Sequence, residues 1–414
     1  MTPHWWKRIG PGIITGAADD DPSGISTYSV VGAQFGFVHL WTVFLTFPLM
    51  CGVQMLCARL GLVTGEGLAG ALRRHSSRRL MWTACLMLAV ANVVNIGADF
   101  VGMGDALRMV TGIPSWMSIP LMGGFTIWAV IFWRYKRLAG VLKWLSLVLI
   151  AYVGAAFLSR PNWTEVFQGA LMPQFEFKRD YFLVLTAILG TTITPYMFFW
   201  QASQEVEEER EHGHRSRRSR LGATKEELTL ANLDVFAGMA WAGITMFFII
   251  VTTGNTLHRS GHTHIETAQQ AAEALRPIAG DAAYLLFAIG LVGTGLLAIP
   301  VLAGSTAYAF TEAIGRPESI DASPHRGRHF YAFMAISVVL GLSLDFIGIP
   351  SIQALFLSAV LNGILSPLLV FVVTHLTSRP DVMGEHVSGR GLKTIGYLTA
   401  AIMALSAVSL LFSS

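Results

Sequence analysis

The chain has 414 residues, of which 53% are hydrophobic and 13% charged, with a net charge of +3. An average soluble domain carries roughly 25% charged residues, so this composition, with a mean hydropathy of +0.54, excludes a soluble globular protein and requires lipid. The charge gives no sign of a nucleic-acid partner, and Cys51, Cys57 and Cys85 fit neither a zinc spacing nor a disulfide framework, reading instead as lipid- or core-facing packing residues.

At the N-terminus, MTPHWWKRIG carries a basic pair but no uninterrupted apolar run or cleavage site behind it, so it is expected to stay on the chain. A hydrocarbon core about 30 Å thick needs roughly 20 apolar residues per helix. That rule predicts about eleven spans, near 11–36, 39–64, 80–108, 114–134, 139–159, 180–204, 229–254, 281–310, 328–348, 351–377 and 391–412. No intervening stretch is long enough for a separate soluble domain, and 1–414 reads as one membrane domain. Basic clusters follow the even-numbered spans: Arg73 to Arg79, Arg134 to Arg137, Arg210 to Lys225, Arg316 to Arg328 and Arg379 to Lys393. The positive-inside rule then puts the N-terminus in the cytoplasm and the C-terminus outside, in a cell membrane of prokaryotic inner-membrane type. Two polar stretches invite other readings. The segment 205–227, rich in Glu and Arg with His212 and His214, resembles a nucleic-acid patch or metal tail but is expected to be a solvated cytoplasmic loop. Likewise His258, His262 and His264 are expected on a surface loop before a short amphipathic helix rather than at a metal.

Two spans are interrupted. In GAADDDPSGIS (16–26), the break is expected over Asp21, Pro22, Ser23 and Gly24, because Pro22 lacks a donor and Gly24 tolerates unusual dihedrals. In ILGTTITPYMFFWQ (188–201), Gly190, a threonine-rich turn and Pro195 break the sixth span. A helix in lipid must satisfy its own backbone, so a break needs protein or water around it. Each broken helix heads a set of five spans, and an odd number per set inserts the second copy upside down. Paired breaks in corresponding positions are the sequence pointer to a secondary transporter's midplane site. The two copies would cover about 10–160 and 179–378, with an extra helix at about 391–412. Charges at that depth are costly and face a cavity or a partner. Asp21, beside the break, is the leading cation ligand. Asp20 is a co-ligand or, with Asp19, a vestibule charge, since neighbours on a helix diverge by about 100°. In the third span Asn92, Asn95, Asp99 and Asp105 also need partners, and Asp99 is the deepest acid.

The stretches GPGIITGAADDDPSG, LGTTITPYMFFWQAS and LFAIGLVGTGLLAIPVLAGSTAYAFTEAIG resemble the first, sixth and eighth spans of the NRAMP (natural-resistance-associated macrophage protein) family of divalent metal transporters. The resemblance covers nearly the whole chain. It implies an all-α membrane protein with the leucine-transporter-like 5+5 inverted repeat, unwound first and sixth helices, and no cofactor besides the transported ion. Family members bind metal through Asp and Asn of a D-P-G-N motif, with an Ala carbonyl and a Met sulfur from the sixth span. By that resemblance Asp21 and Pro22 are kept, Ser23 stands for the Gly, and Gly24 stands for the Asn. Thr191 stands at the Ala, Thr194 at the Met and Tyr196 at the His that follows the proline. In the tenth span Ala359 stands where Gln is common, and Asn362 lies one turn on.

These exchanges have a direction. A thioether favours transition metals, whereas Mg²⁺ demands oxygen ligands and keeps several waters. Replacing Met and Asn by Thr194 and Gly24 leaves a wider, all-oxygen site, and the sequence resembles the NRAMP-related magnesium branch, with Mn²⁺ as the alternative cargo. The resemblance also implies a proton path through Asp99, Tyr196, Asn92 and Asn95. Asn92 stands for an acid, Gly102 for a glutamate and Tyr196 for a histidine, so weak or absent proton coupling is expected. A sodium-coupled organic-solute symporter of the same fold is a rival, but Asp19, Asp20 and Asp21 would repel a carboxylate substrate. A non-transporting receptor has no use for paired breaks. No nucleophile–base pair or phosphate loop argues for an enzyme. The sequence does not specify an oligomeric state, and a monomer suffices.

Overall fold

Apolar periodicity becomes helix throughout, and no strand forms among the described residues. The computed structural model describes residues 10–132, 147–214, 216–316, 319–323, 325–344 and 348–412. The first span is a pair of half-helices, α1 (Pro11–Asp19) and α2 (Pro22–Phe35), followed by α3 (Trp41–Thr64), α4 (Leu68–His75), α5 (Arg78–Thr111) and α6 (Ser115–Phe132). Next come α7 (Ile150–Leu158), α8 (Trp163–Leu171), and the sixth span as α9 (Arg179–Thr192) and α10 (Pro195–Glu211). The longer helices that remain are α11 (Lys225–Thr253), α12 (Ala283–Ala313), α13 (Arg328–Leu342), α14 (Ser351–Thr377) and α15 (Arg390–Phe412). Among the described residues, 8 helical stretches are long and apolar enough to cross a membrane, and Arg328–Leu342 is a shorter apolar helix. The α1 and α2 halves, 9 and 14 residues long, cross only as a pair. The expected fifth span lies partly outside the described residues, as do Arg134 to Arg137.

Both breaks fall earlier or later than the sequence places them. The first comprises Asp20 and Asp21, and Pro22, Ser23 and Gly24 form the opening turn of α2. Pro22 is accommodated at the first helical position, where its missing N–H has no intrahelical acceptor anyway. Gly24 therefore needs no unusual dihedral. In the second break the helix persists through Gly190 and Thr192 and stops at Ile193 and Thr194, and α10 again opens on a proline, Pro195. Gly190 is thus not a helix breaker. Its side-chain position would lie 2.0 Å from the Ala359 carbonyl oxygen and 2.3 Å from the Gly363 nitrogen, so its role is to let α9 and α14 cross backbone to backbone.

The core gathers around these crossings. Helix α1 packs along α11, α5 along α12, and α9 along α14. Cys51, Cys57 and Cys85 are buried and free, and they pack in the core rather than against lipid. Asp105 accepts hydrogen bonds from Ser351 Oγ (2.6 Å) and the Ala268 amide (3.0 Å), which ties α5 to the start of α14. His258 is not a loose surface residue: its Nδ1 lies 2.8 Å from the Ala33 carbonyl oxygen, and it closes the end of α2. The charged segment 205–227 is a solvated loop only in part, its described residues after Glu211 being mostly exposed. Its first part continues α10 to Glu211, with Glu205 3% and Arg220 6% exposed.

Candidate functional site

The two breaks meet in the interior. Asp21 has extended dihedrals (φ −71°, ψ 171°) and caps α2, accepting the Gly24 amide at 2.7 Å on Oδ1. One turn of α2 carries Ser23, whose Oγ lies 3.4 Å from Thr191 Oγ1 on α9. Gly24 sits between them. The three atoms nearest its side-chain position are all oxygens: the Asp19 carbonyl at 3.1 Å, Thr191 Oγ1 at 3.4 Å and Asp21 Oδ1 at 3.5 Å. Thr194 holds the N-cap position of α10 but makes no side-chain capping bond, and it is buried. The C-terminal ends of α1 and α9 bring carbonyl groups to the same gap, the negative ends of the helix dipoles. A small cation is the species this arrangement can hold: one carboxylate, hydroxyls of Ser23 and Thr191, and main-chain oxygen. No group of three or more His, Cys, Asp or Glu side chains converges on one point among the described residues. The run of three aspartates is therefore not a polyanionic cage.

Asp19 and Asp20 do not line an open vestibule in this structure, since each is 1% exposed. Asp19 has no hydrogen-bond partner for either carboxylate oxygen among the described residues, and neither has Asp99. Asp99, on α5, is an electrostatic neighbour of Asp21. The other expected relay residues have structural attachments. Tyr196 donates its hydroxyl to the Ala18 carbonyl at 2.9 Å, bridging α10 to α1 across the gap. Asn92 Nδ2 lies 2.8 Å from each of the Leu302 carbonyl, Ser305 Oγ and Thr306 Oγ1, so it clamps α5 to α12 rather than facing the break. Asn362 donates to Asn95 Oδ1 at 3.2 Å, joining α14 to α5 in the buried core. That bond leaves the Asn362 oxygen without a partner among the described residues.

Sequence reasoning missed a second polar thread. Thr15 Oγ1 donates to Gln201 Oε1 at 2.7 Å, and Gln201 Nε2 donates to Glu205 Oε1 at 2.8 Å. The signal within the sequence was one i, i+4 pair, Gln201 with Glu205, on one helix face. Ser23 was also passed over as a mere substitute for glycine, although its hydroxyl faces Thr191.

Two discontinuous helices whose broken ends meet in a buried, oxygen-lined gap define a membrane transporter of the inverted-repeat class, not an enzyme. A family model described as natural resistance-associated macrophage protein-like, Nramp, matches residues 12–413, and the chain belongs to that family. It is 27% identical over 400 residues to the divalent metal cation transporter MntH of Klebsiella pneumoniae (strain 342), covering 95% of this chain and 91% of the relative. Its fold is similar to that of the Eremococcus coleocola manganese transporter, with a TM-score of 0.76 at 18% identity, over 99% of this chain and 87% of that one. MhsT, solved in complex with L-phenylalanine, shares the fold at a TM-score of 0.60 and 14% identity, over 97% and 98% of the two chains.

Proposed function

We propose that this divalent metal transporter imports a hard cation, Mg²⁺ in partly hydrated form, in preference to Mn²⁺. The observation that carries the preference is the environment of Gly24, whose three nearest neighbours are all oxygens and which brings no side-chain ligand of its own. Thr194 offers a hydroxyl where a soft ligand would favour a transition metal, and Mg²⁺ keeps its waters in a site with one firm carboxylate. Asp21 is the principal ligand, with Thr191, Thr194 and the carbonyl of Asp19 beside it and Gly24 supplying space. Asp20 and Asn362 are further candidate ligands. Alternating access would proceed between inverted repeats spanning about 10–160 and 179–378, in a cell membrane with the N-terminus cytoplasmic and the C-terminus outside. The ion is cargo, and no resident cofactor is invoked.

Uptake is weakly coupled or uncoupled to protons. Tyr196 and Asn92 are engaged in structural hydrogen bonds, which leaves Asp99 as a lone acid without a relay. Two positive charges moving down about 100 mV release roughly 4.6 kcal/mol, enough to drive accumulation without coupling. A second reading is a proton-coupled Mn²⁺ or Fe²⁺ importer, and of it the names of similar proteins, a divalent metal cation transporter and a manganese transporter, favour the manganese cargo. One experiment separates the two: Mg²⁺ and Mn²⁺ uptake into proteoliposomes at fixed potential, with an internal pH dye. Mg²⁺ entry without acidification supports the first reading, and Mn²⁺ entry with acidification supports the second.

A further inference from the structure

The segment 205–227 builds a cavity at the end of the bundle away from the metal gap. After α10 the chain makes a short 3₁₀ turn, Arg217–Arg220, and returns to α3, where the Gly222 amide donates to the Val63 carbonyl at 2.9 Å. Arg220 is 6% exposed, and its guanidinium donates to the carbonyls of Gly65 (3.3 Å) and His214 (2.8 Å). Glu66 holds two more guanidinium groups, with Arg74 Nη2 at 2.7 Å and Arg217 Nε at 3.0 Å from the same oxygen. Arg73, one residue from Arg74 on α4, lies over Gly315 just past α12. Arg210, on the last turn of α10, is paired with Glu207 at 2.7 Å. Together these groups enclose about 350 Å³, lined by Arg73, Arg74, Arg210, Arg217 and Arg220 against two carboxylates, Glu66 and Glu312. Neither carboxylate is idle. Both oxygens of Glu312 accept backbone amides, from Gly67 (3.1 Å) and Gly70 (2.9 Å), and so fix the start of α4.

Cationic groups thus outnumber anionic ones around a cavity large enough for more than a single small ion, on the side where the basic loops cluster. Glu207 behind Arg210 and Glu209 near Arg220 reduce that excess but do not line the space. Guanidinium forks match the planar or tetrahedral arrangement of several charged oxygens, and they bind phosphate in pairs. We propose that this cavity is a binding site for a phosphate-bearing anion, either a soluble pyrophosphate or nucleotide or an anionic lipid headgroup, which bridges α4 to the end of α10. The site is independent of which metal is carried.

The test uses the whole purified protein in metal-free buffer, so that chelation does not enter. Sodium pyrophosphate is titrated while the thermal midpoint is read, with sodium sulfate at equal ionic strength as the control. A parallel series uses bicelles of phosphatidylcholine with or without phosphatidic acid. The expected result is a saturable rise in midpoint that requires about tenfold more pyrophosphate in R73Q/R217Q and is unchanged in R79Q, an arginine outside the cavity. If R73Q/R217Q folds poorly, R73Q alone is the test variant. A saturable response to phosphatidic acid only, with the same arginine dependence, supports the site and assigns its ligand to lipid. Responses to neither probe, or responses that R79Q loses as much as R73Q/R217Q, overturn it.

Discussion

The Gly24 amide donates to Asp21 Oδ1 at 2.7 Å, so the carboxylate nearest the gap is also the N-cap of α2. Those two duties can be separated. Asn retains an acceptor for the Gly24 amide but carries no charge, whereas Ala has neither. Asp21→Asn should keep the thermal midpoint near wild type, and Asp21→Ala should lose about 0.5–2 kcal/mol for the missing cap. Both should reduce divalent-ion uptake by about tenfold or more, roughly 1.4 kcal/mol of lost binding. Uptake by Asp21→Asn at the wild-type rate would remove Asp21 from the ligand set.

The hardness of the site is tested at Thr194 and Gly24. Thr194→Met places a thioether at the start of α10 and should move the Mn²⁺ to Mg²⁺ uptake ratio toward Mn²⁺ by about tenfold. Gly24→Asn should lower Mg²⁺ uptake, because any side chain there begins 3.1 Å from the Asp19 carbonyl and enters the oxygen-lined space. Competition of the two ions in one vesicle preparation gives the ratio directly. An unchanged ratio in Thr194→Met would mean that this position does not face the ion.

The sequence made the architecture readable because long apolar runs have few alternatives in lipid, and because Pro22 and Pro195 each directly follow a real break. It misplaced those breaks by a few residues for a specific reason. Proline is as comfortable at the first position of a new helix as it is disruptive inside one, and the residues before it, Asp21 and Thr194, take the extended conformation. Gly190 looked like part of a break, and only the neighbouring helix reveals that it marks a crossing with α14. Asn92 and Tyr196 could not be resolved from sequence either. A buried amide or phenol looks the same in a proton path as in an interhelical clamp, and only the acceptors at 2.8 and 2.9 Å distinguish them. The fold of 205–227 was hidden because its charges pair with residues far away in the chain, Glu66 above all.

His39 gives a pH dependence of stability. It lies in the turn between α2 and α3, fully buried, with its ring centroid 4.7 Å from Phe35 and 4.6 Å from Tyr181. Burial pushes its imidazole down to about 4, against a weak opposing pull from Glu176. The unfolded chain, with the ordinary value near 6.5, therefore binds the proton first. Stability is full above about pH 6.5 and declines as the pH falls toward 4, by about 3 kcal/mol in all. Midpoints measured between pH 7 and pH 4 should fall more steeply for the wild type than for His39→Phe. Equal slopes would show that His39 is solvated.

Asn92 and Asp99 lie seven residues apart on α5, on nearly the same face, yet they should fail in different ways. Asn92→Ala removes the amide donor that Leu302, Ser305 and Thr306 accept, and with it the clamp between α5 and α12, at a cost of about 0.5–1.5 kcal/mol. Its effect should appear in the thermal midpoint, with the pH profile of uptake unchanged. Asp99→Asn replaces a buried acid that is an electrostatic neighbour of Asp21 and has no hydrogen-bond partner of its own among the described residues. It should leave the midpoint unchanged or slightly raised, keep Mg²⁺ uptake within about twofold, a difference of roughly 0.4 kcal/mol, and leave the internal pH of the vesicles flat, as in the wild type. Acidification that accompanies Mg²⁺ entry in the wild type and disappears in Asp99→Asn would make Asp99 the proton carrier and replace the uncoupled mechanism with a coupled one.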